Sequence, residues 1–389
     1  MFRPPPLPRT LDAALRDLAD PKPEVRVDAI ADLQAHVPAH RAAALAALDQ
    51  ALRDAAPRVR AAAARVLGES EARELLPALL IACEDDDGAV RQEAIAALGE
   101  VGDPRACGKL ERALGDARPE VRFQAVMAYP RVCAVPGDVL QALVRATEDT
   151  DEHVVHVALR MAEEIAGRPP PTAAGSDATG AALESAPEDE AFDDEDEGPS
   201  NIDPVLLARA RALLTHAAPR VRAVAAVILA RSNDPAGDAV LLGVADGAVA
   251  TPEAEDIASA ITLAGTRGLR RAIPALERRA FGGVLGFGRD PWAWHARTAL
   301  ARMGHARASR EILRELEVRD RTRRTLAVVA AGRARLLAAR APLDRLRASG
   351  DIDASLVGRA LAALDRAAGT AATAPAPAKT GPETPGGAP

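Results

Sequence analysis

The sequence predicts an all-α protein, a right-handed α-solenoid (superhelix) of stacked helical hairpins. Three observations point there. Alanine supplies 91 of the 389 residues, whereas aromatic residues make up only 2%. Alanine is the strongest helix former and buries a single methyl group, so such helices pack closely around no large aromatic core. A motif recurs at the length of one helical hairpin, and Asp-Pro pairs mark helix starts between its copies. Sandwiches and barrels are excluded by the shortage of β-branched and aromatic alternation.

The motif opens as DPKPEVRVDAIADL at Asp20, DAAPRVRAAAARVLG at Asp54, DDDGAVRQEAIAALG at Asp85 and DARPEVRFQAVMAY at Asp116. Fainter copies begin at Asp149 and His216. The aligned valines are Val25, Val59, Val90, Val121, Val154 and Val221, and the first four intervals are 34, 31, 31 and 33 residues. Arg26, Arg60, Arg91, Arg122 and Arg222 follow five of them; Val155 follows the other.

Each copy predicts two short helices. The opening aspartate and the proline three residues later set a helix start, and Val90, Ala94, Ile95 and Leu98 form one apolar stripe. Asp103-Pro104 then starts a second helix, with Asp suited to the N-cap and Pro to the first helical position. The pair recurs at Asp203-Pro204, Asp234-Pro235 and Asp290-Pro291. A hairpin with so thin an apolar face requires neighbours on both sides.

These copies resemble the E-Z type HEAT-like repeat first described in phycobilin (phycobilisome) lyases and found in bacterial HEAT-repeat proteins, over roughly residues 15–166 and 203–346. The resemblance implies a hydrogen-bond ladder along the stack, in which Asp54, Asp85, Asp116, Arg60, Arg91 and Arg122 are structural. It implies the fold strongly and the activity weakly. After Leu229 the motif degenerates: ALARMGHARA at Ala299 still mirrors ALGEVGDPRA at Ala97, and RRAIPAL at Arg270 reads as a second helix. Thr325 to Leu346 and Ile352 to Ala367 read as the final helices.

Four regions follow. Residues 1–167 are the N-terminal repeats 1–5, and 168–200 an acidic, disordered loop. Residues 201–368 continue the repeats, and 369–389 form a Pro/Ala/Gly-rich disordered tail. Val154 and Val221 are 67 residues apart, and removing the 33 residues 168–200 leaves 34, one normal repeat. The acidic loop is therefore expected inside the fifth hairpin, with one solenoid continuing through it. Charge is polarised around it: −7 over residues 1–168, −11 over 169–203 and +11 over 204–389. A basic C-terminal half fits an anionic partner.

Catalytic signals are missing from the sequence. No Walker loop, nucleophile elbow or zinc-protease motif occurs. None of the seven histidines precedes a glutamate, so the His-Glu iron ligands of the related repeat enzyme deoxyhypusine hydroxylase have no counterpart. His153 and His156 share a helix face but lack a third ligand, so no metal is expected. The three cysteines, about one repeat apart and without a CxxC pair, read as small buried thiols in a reducing cytoplasm, with no disulfide framework. No run of 18 apolar residues or apolar leader is present, so no membrane span or signal peptide is expected.

FGGVLGFGRDPWAWHAR, residues 281–297, holds four of the eight aromatic residues, both tryptophans included. It reads either as core plug or as a partner-binding patch of Phe281, Phe287, Trp292, Trp294 and Arg297, since Trp and Arg dominate interface hot spots. The expected function is a non-enzymatic, cofactor-free scaffold binding a protein through the concave surface of its second helices. The alternative is a nucleic-acid protein resembling HEAT-like DNA glycosylases, working through the basic half. A lyase or hydroxylase of the same repeat family is a more distant third.

Overall fold

The computed structural model describes residues 10–167, 202–282 and 290–373; the acidic segment 168–200, Phe287 and the tail from residue 374 lie outside these. The described residues are helical, with no strand among them. They form two compact units, divided between Ser232 and Asn233.

Unit 1 contains α1 (Leu11–Asp17), α2 (Pro23–Ala51), α3 (Pro57–Glu69), α4 (Leu76–Ala82), α5 (Gly88–Val101), α6 (Cys107–Ala113), α7 (Pro119–Val132), α8 (Pro136–Ala146), α9 (Glu152–Gly167), α10 (Pro204–Leu213) and α11 (Pro219–Arg231). The first helices α2, α3, α5, α7, α9 and α11 pack in succession, and α4, α6, α8 and α10 cover them. The repeated valines Val59, Val90, Val121, Val154 and Val221 are buried, as the stripe requires. Close approach explains the alanine content: a Cβ added to Gly68 would lie 2.6 Å from Ala97 Cα on the next first helix.

Helix starts follow the sequence signals. Pro57, Pro119 and Pro219 occupy the first turn, while Asp103, Asp203 and Asp234 accept from backbone N–H groups two residues on. Gly102 adopts φ 65° and ends α5 in the left-handed region. The same place in other repeats is held by Glu71 and Asn233, also at positive φ. In the first repeat the turn is a kink: α2 breaks at His40 (φ −135°, ψ 40°), two residues after Pro38, whose ring cannot continue an unbroken helix.

Helices on either side of the acidic segment pack within unit 1. Arg209 of α10 donates from Nε to Thr147 Oγ1 (2.7 Å) and from Nη2 to the Thr147 carbonyl (2.8 Å), just beyond α8. In unit 1, α10 packs against α8, α9 and α11. The boundary between the two compact units falls just after α11.

The cysteine expectation is corrected. Cys107 and Cys133 form a disulfide with Cα atoms 5.4 Å apart, within bonding range. Their 26-residue spacing falls short of a repeat, and this is why the equivalence read from the sequence fails. Cys107 opens the second helix of one hairpin, and Cys133 closes the first helix of the next. Cys133 takes extended backbone (φ −92°) where neighbouring repeats use a left-handed residue, which turns it toward α6. Cys83 is the free cysteine, and burial pushes its thiol up to about 12. The cysteine pattern therefore says nothing of a reducing compartment.

Unit 2 contains α12 (Asp238–Asp246), α13 (Ala254–Thr266), α14 (Ile273–Phe281), α15 (Ala293–Arg302), α16 (Ala306–Glu315), α17 (Arg321–Arg333), α18 (Arg340–Ser349) and α19 (Ala354–Thr373). First helices α13, α15, α17 and α19 pack in succession, with α14, α16 and α18 as second helices. No helix among the described residues is long and apolar enough to cross a membrane.

Candidate partner-binding surface

The ladder is the most regular polar feature of unit 1. Arg60 donates from Nε and Nη2 to both carboxylate oxygens of Asp85, each at 2.7 Å, and from Nη1 to the Asp54 carbonyl at 2.9 Å. Arg91 treats Asp116 and the Asp85 carbonyl in the same way. Arg122 does so with Asp149 and the Asp116 carbonyl. The ladder begins one rung earlier, at Arg26 and Asp54. Each aspartate also accepts from the N–H two residues on, as Asp54 does from Ala56. Every guanidinium and carboxylate in these rungs is engaged, so the ladder offers no free catalytic group.

Arg26 and Asp149 are the rung ends absent from the residues singled out in the sequence. Their signal was the same motif, since Asp149 opens a copy whose valine is followed by Val155 instead of arginine. Without an arginine at 155 no partner is needed one repeat on, and His216 stands where the aspartate would be. Its Nδ1 accepts from Ala218 N–H at 3.1 Å, preserving the turn without the rung. In unit 2, Thr251 and the buried Asp256 replace the aspartate and valine and bond to each other (3.3 Å).

The aromatic segment lies at the edge of the unit 2 core. Phe281 ends α14, and Trp292 and Trp294 flank the start of α15; all three are half-buried against that core. Each ring has a charged or imidazole neighbour. Arg307 Cζ lies 4.0 Å from the Phe281 ring centroid, and His305 stacks on the same ring at 6.0 Å. Arg297 Cζ lies 5.3 Å from the Trp294 centroid, and Trp292 meets His295 edge-on at 5.6 Å. Arg297 also donates from Nε to the Ala280 carbonyl (3.1 Å) and pairs with Glu311 (3.5 Å). Burial, with Arg333 nearby, holds the His295 pKa below its usual 6.5.

Beside the Phe281 ring is a cleft of about 570 Å³ whose lining includes Arg270, Ile273, Glu277, Met303, His305 and Arg307. Gly304, at φ 83°, turns the chain out of α15 and presents His305 at the N-cap of α16. His305 Nδ1 accepts from Ala308 N–H (3.4 Å), leaving its Nε2 proton for Glu277 at 2.9 Å. His305 occupies the position of Asp103 in the mirrored ALGEVGDPRA. That substitution was the available signal for a site the sequence did not single out. No group of three or more His, Cys, Asp or Glu side chains able to hold a metal occurs among the described residues. His153 is exposed and lies 3.5 Å from Asp151.

Helical hairpins stacked by their first helices and joined by an Arg–Asp ladder define an α-solenoid of HEAT-like repeats. Residues 45–130, spanning the end of α2 to α7, match the family of HEAT repeats. The fold is similar to that of the YibA protein of E. coli: 15% identity, TM-score 0.52, 77% of this chain and 93% of that one covered. An engineered protein (16%, TM-score 0.45, 91% and 98% covered) is more distant in fold. So is the CpcE–CpcF complex of phycocyanin lyase from Nostoc sp. PCC7120 (16%, TM-score 0.33, 94% and 97% covered). No curated protein matches the chain.

Proposed function

We propose that the protein is a non-enzymatic scaffold that binds a protein partner through the surface of its second helices, centred on the cleft between α14 and α16. The observation carrying this reading is the cleft itself, where apolar Ile273 and Met303 lie beside Arg270 and Arg307. Interfaces draw on this combination of apolar contact and arginine. The non-catalytic reading is supported by the commitment of the polar groups: His305 caps α16 and binds Glu277, and the ladder charges bind one another. The nucleic-acid alternative draws on the basic composition, but Arg307, Arg297 and His295 already pack on the rings that base stacking would use.

A photo-reactive amino acid at Ala306, beside the cleft, tests the proposal in the native host, with the exposed Glu120 on the first helix α7 as control. Discrete protein adducts at position 306 and none at 120 are expected. Adducts that disappear with nuclease, or none at 306, would overturn it. Elemental analysis that found a stoichiometric metal would overturn the non-enzymatic part.

A further inference from the structure

We propose that the α14–α16 cleft docks an acidic peptide segment, with one apolar side chain against Ile273 and Met303 and a neighbouring carboxylate held by Arg270 and Arg307. This rests on the protein-binding reading above and specifies the partner's chemistry.

Charge supplies the first argument. Residues 267–349 contain twenty arginines against seven carboxylates, an excess of 13. Most of those carboxylates are already used: Glu277 by His305, Asp290 by Arg279, Glu311 by Arg297 and Arg307, Glu315 by Arg323, and Glu317 by Arg345. Arg270 is exposed at the cleft and has no ion-pair partner among the described residues. Its guanidinium can take a carboxylate through two parallel N–H groups without breaking an existing pair.

Preorganisation is the second argument. Arg307 lies over Phe281, and only its Nε is engaged with Glu311, at 3.2 Å. A guanidinium already held against a ring loses less freedom when it binds, and its terminal nitrogens remain available. Phe281 and His305 therefore act as supports beneath the arginine, not as contact surfaces.

The lining also discriminates between anions. Glu277 stands in the wall and repels a continuous phosphate chain, and Arg307 already lies over the Phe281 ring that a base would use. Ile273 and Met303 instead offer an apolar site that a peptide side chain can fill. Carboxylates spaced around one apolar residue match this arrangement; a uniform polyanion does not.

Fluorescence polarisation of a labelled peptide, APEDEAFDDEDEG, tests this directly; the probe has the sequence of residues 186–198, one phenylalanine within an acidic run. The full-length protein is titrated alongside a protein lacking residues 169–200, whose own acidic run can then not compete. Saturable binding to either protein is expected. The Arg270→Glu/Arg307→Glu double variant should weaken it by about tenfold or more, since charge-assisted bidentate contacts are lost. Arg319→Glu, exposed and away from the cleft, should change it less than about twofold. Replacing the peptide's phenylalanine with serine should also cost about tenfold. No saturable binding to either protein, equal loss from cleft and Arg319 variants, or tighter binding of a single-stranded oligonucleotide of equal charge would overturn the proposal. Protein adducts retained at position 306 alongside such a result would leave the scaffold reading standing and remove only the acidic-peptide assignment.

Discussion

Arg60 and Asp85 meet through two parallel hydrogen bonds of 2.7 Å, and the third guanidinium nitrogen of Arg60 holds the Asp54 carbonyl of its own repeat. One side chain therefore joins three things: its own turn, the next turn and the charge between them. Both partners are largely buried, with side-chain exposures of 17% and 14%. Arg91 and Asp116 repeat the arrangement with the same exposures. Removing one member of such a pair leaves the other uncompensated. Arg91→Ala should lower unit 1 stability by about 3 kcal/mol in chemical denaturation. Arg91→Lys should recover little, because one ammonium cannot bridge both the carboxylate and the carbonyl.

Acid should act on the two units at different pH. Burial raises the pKa of Asp54, Asp85 and Asp149, but the arginine and backbone N–H bonds outweigh it and leave each below 3.8. The Arg91 bond is the largest influence on Asp116, with the same net direction. A depressed folded pKa contributes stability that is complete above the unfolded value and disappears as pH falls through the folded one. Unit 1 should therefore keep its ladder contribution down to about pH 4 and lose it below. His295 behaves differently: burial holds it neutral while the unfolded histidine protonates near 6.5. Unit 2 should begin to lose stability as pH falls through that value. Both tryptophans belong to unit 2, so tryptophan fluorescence melts should shift first and far-ultraviolet dichroism melts later. Coincident shifts would contradict this assignment.

The Cys107–Cys133 bond closes a segment with a sequence separation of 26 residues. Cross-linking a loop of that size restricts the unfolded chain by about 3 kcal/mol, less any native strain. Reduction, or Cys107→Ser, should lower the melting temperature of the oxidised protein and leave the helical content intact. Peptide mapping without reductant should find these two cysteines linked and Cys83 alkylated slowly before unfolding, because its partly buried thiol is held protonated.

Trp292→Ala and Trp294→Ala should each destabilise unit 2 by about 2 kcal/mol, below the range for fully buried tryptophans because both rings are only half-buried. Calorimetry would measure this. A double variant that melts normally but loses its protein adducts would place the tryptophans at the interface instead of at the core edge.

The repeat register was legible because it is local: a valine stripe and an aspartate before each helix recur at fixed offsets. The ladder residues were legible through the resemblance to HEAT-like repeats, which implies a hydrogen-bond ladder between the recurring aspartate and arginine. Arg26 and Asp149 carried the same motif at its ends, where one neighbour differs.

Three features depended on tertiary structure. Phe281, Trp292 and Trp294 read from the sequence either as core or as a binding patch, and only the fold brings arginines and histidines from α15, the turn before α16 and α16 itself against their rings. The cleft draws Arg270 and Glu277 from one hairpin and Met303, His305 and Arg307 from the next, so no local pattern announces it. Cys107 and Cys133 meet because adjacent hairpins pack α6 on α7, although their positions within the repeat differ. Periodicity by itself determined which residues are equivalent, because equivalent residues sit in the same place on every hairpin. Only packing decided which non-equivalent residues touch, because those contacts depend on the distance and angle between neighbouring helices, which a one-dimensional repeat does not record.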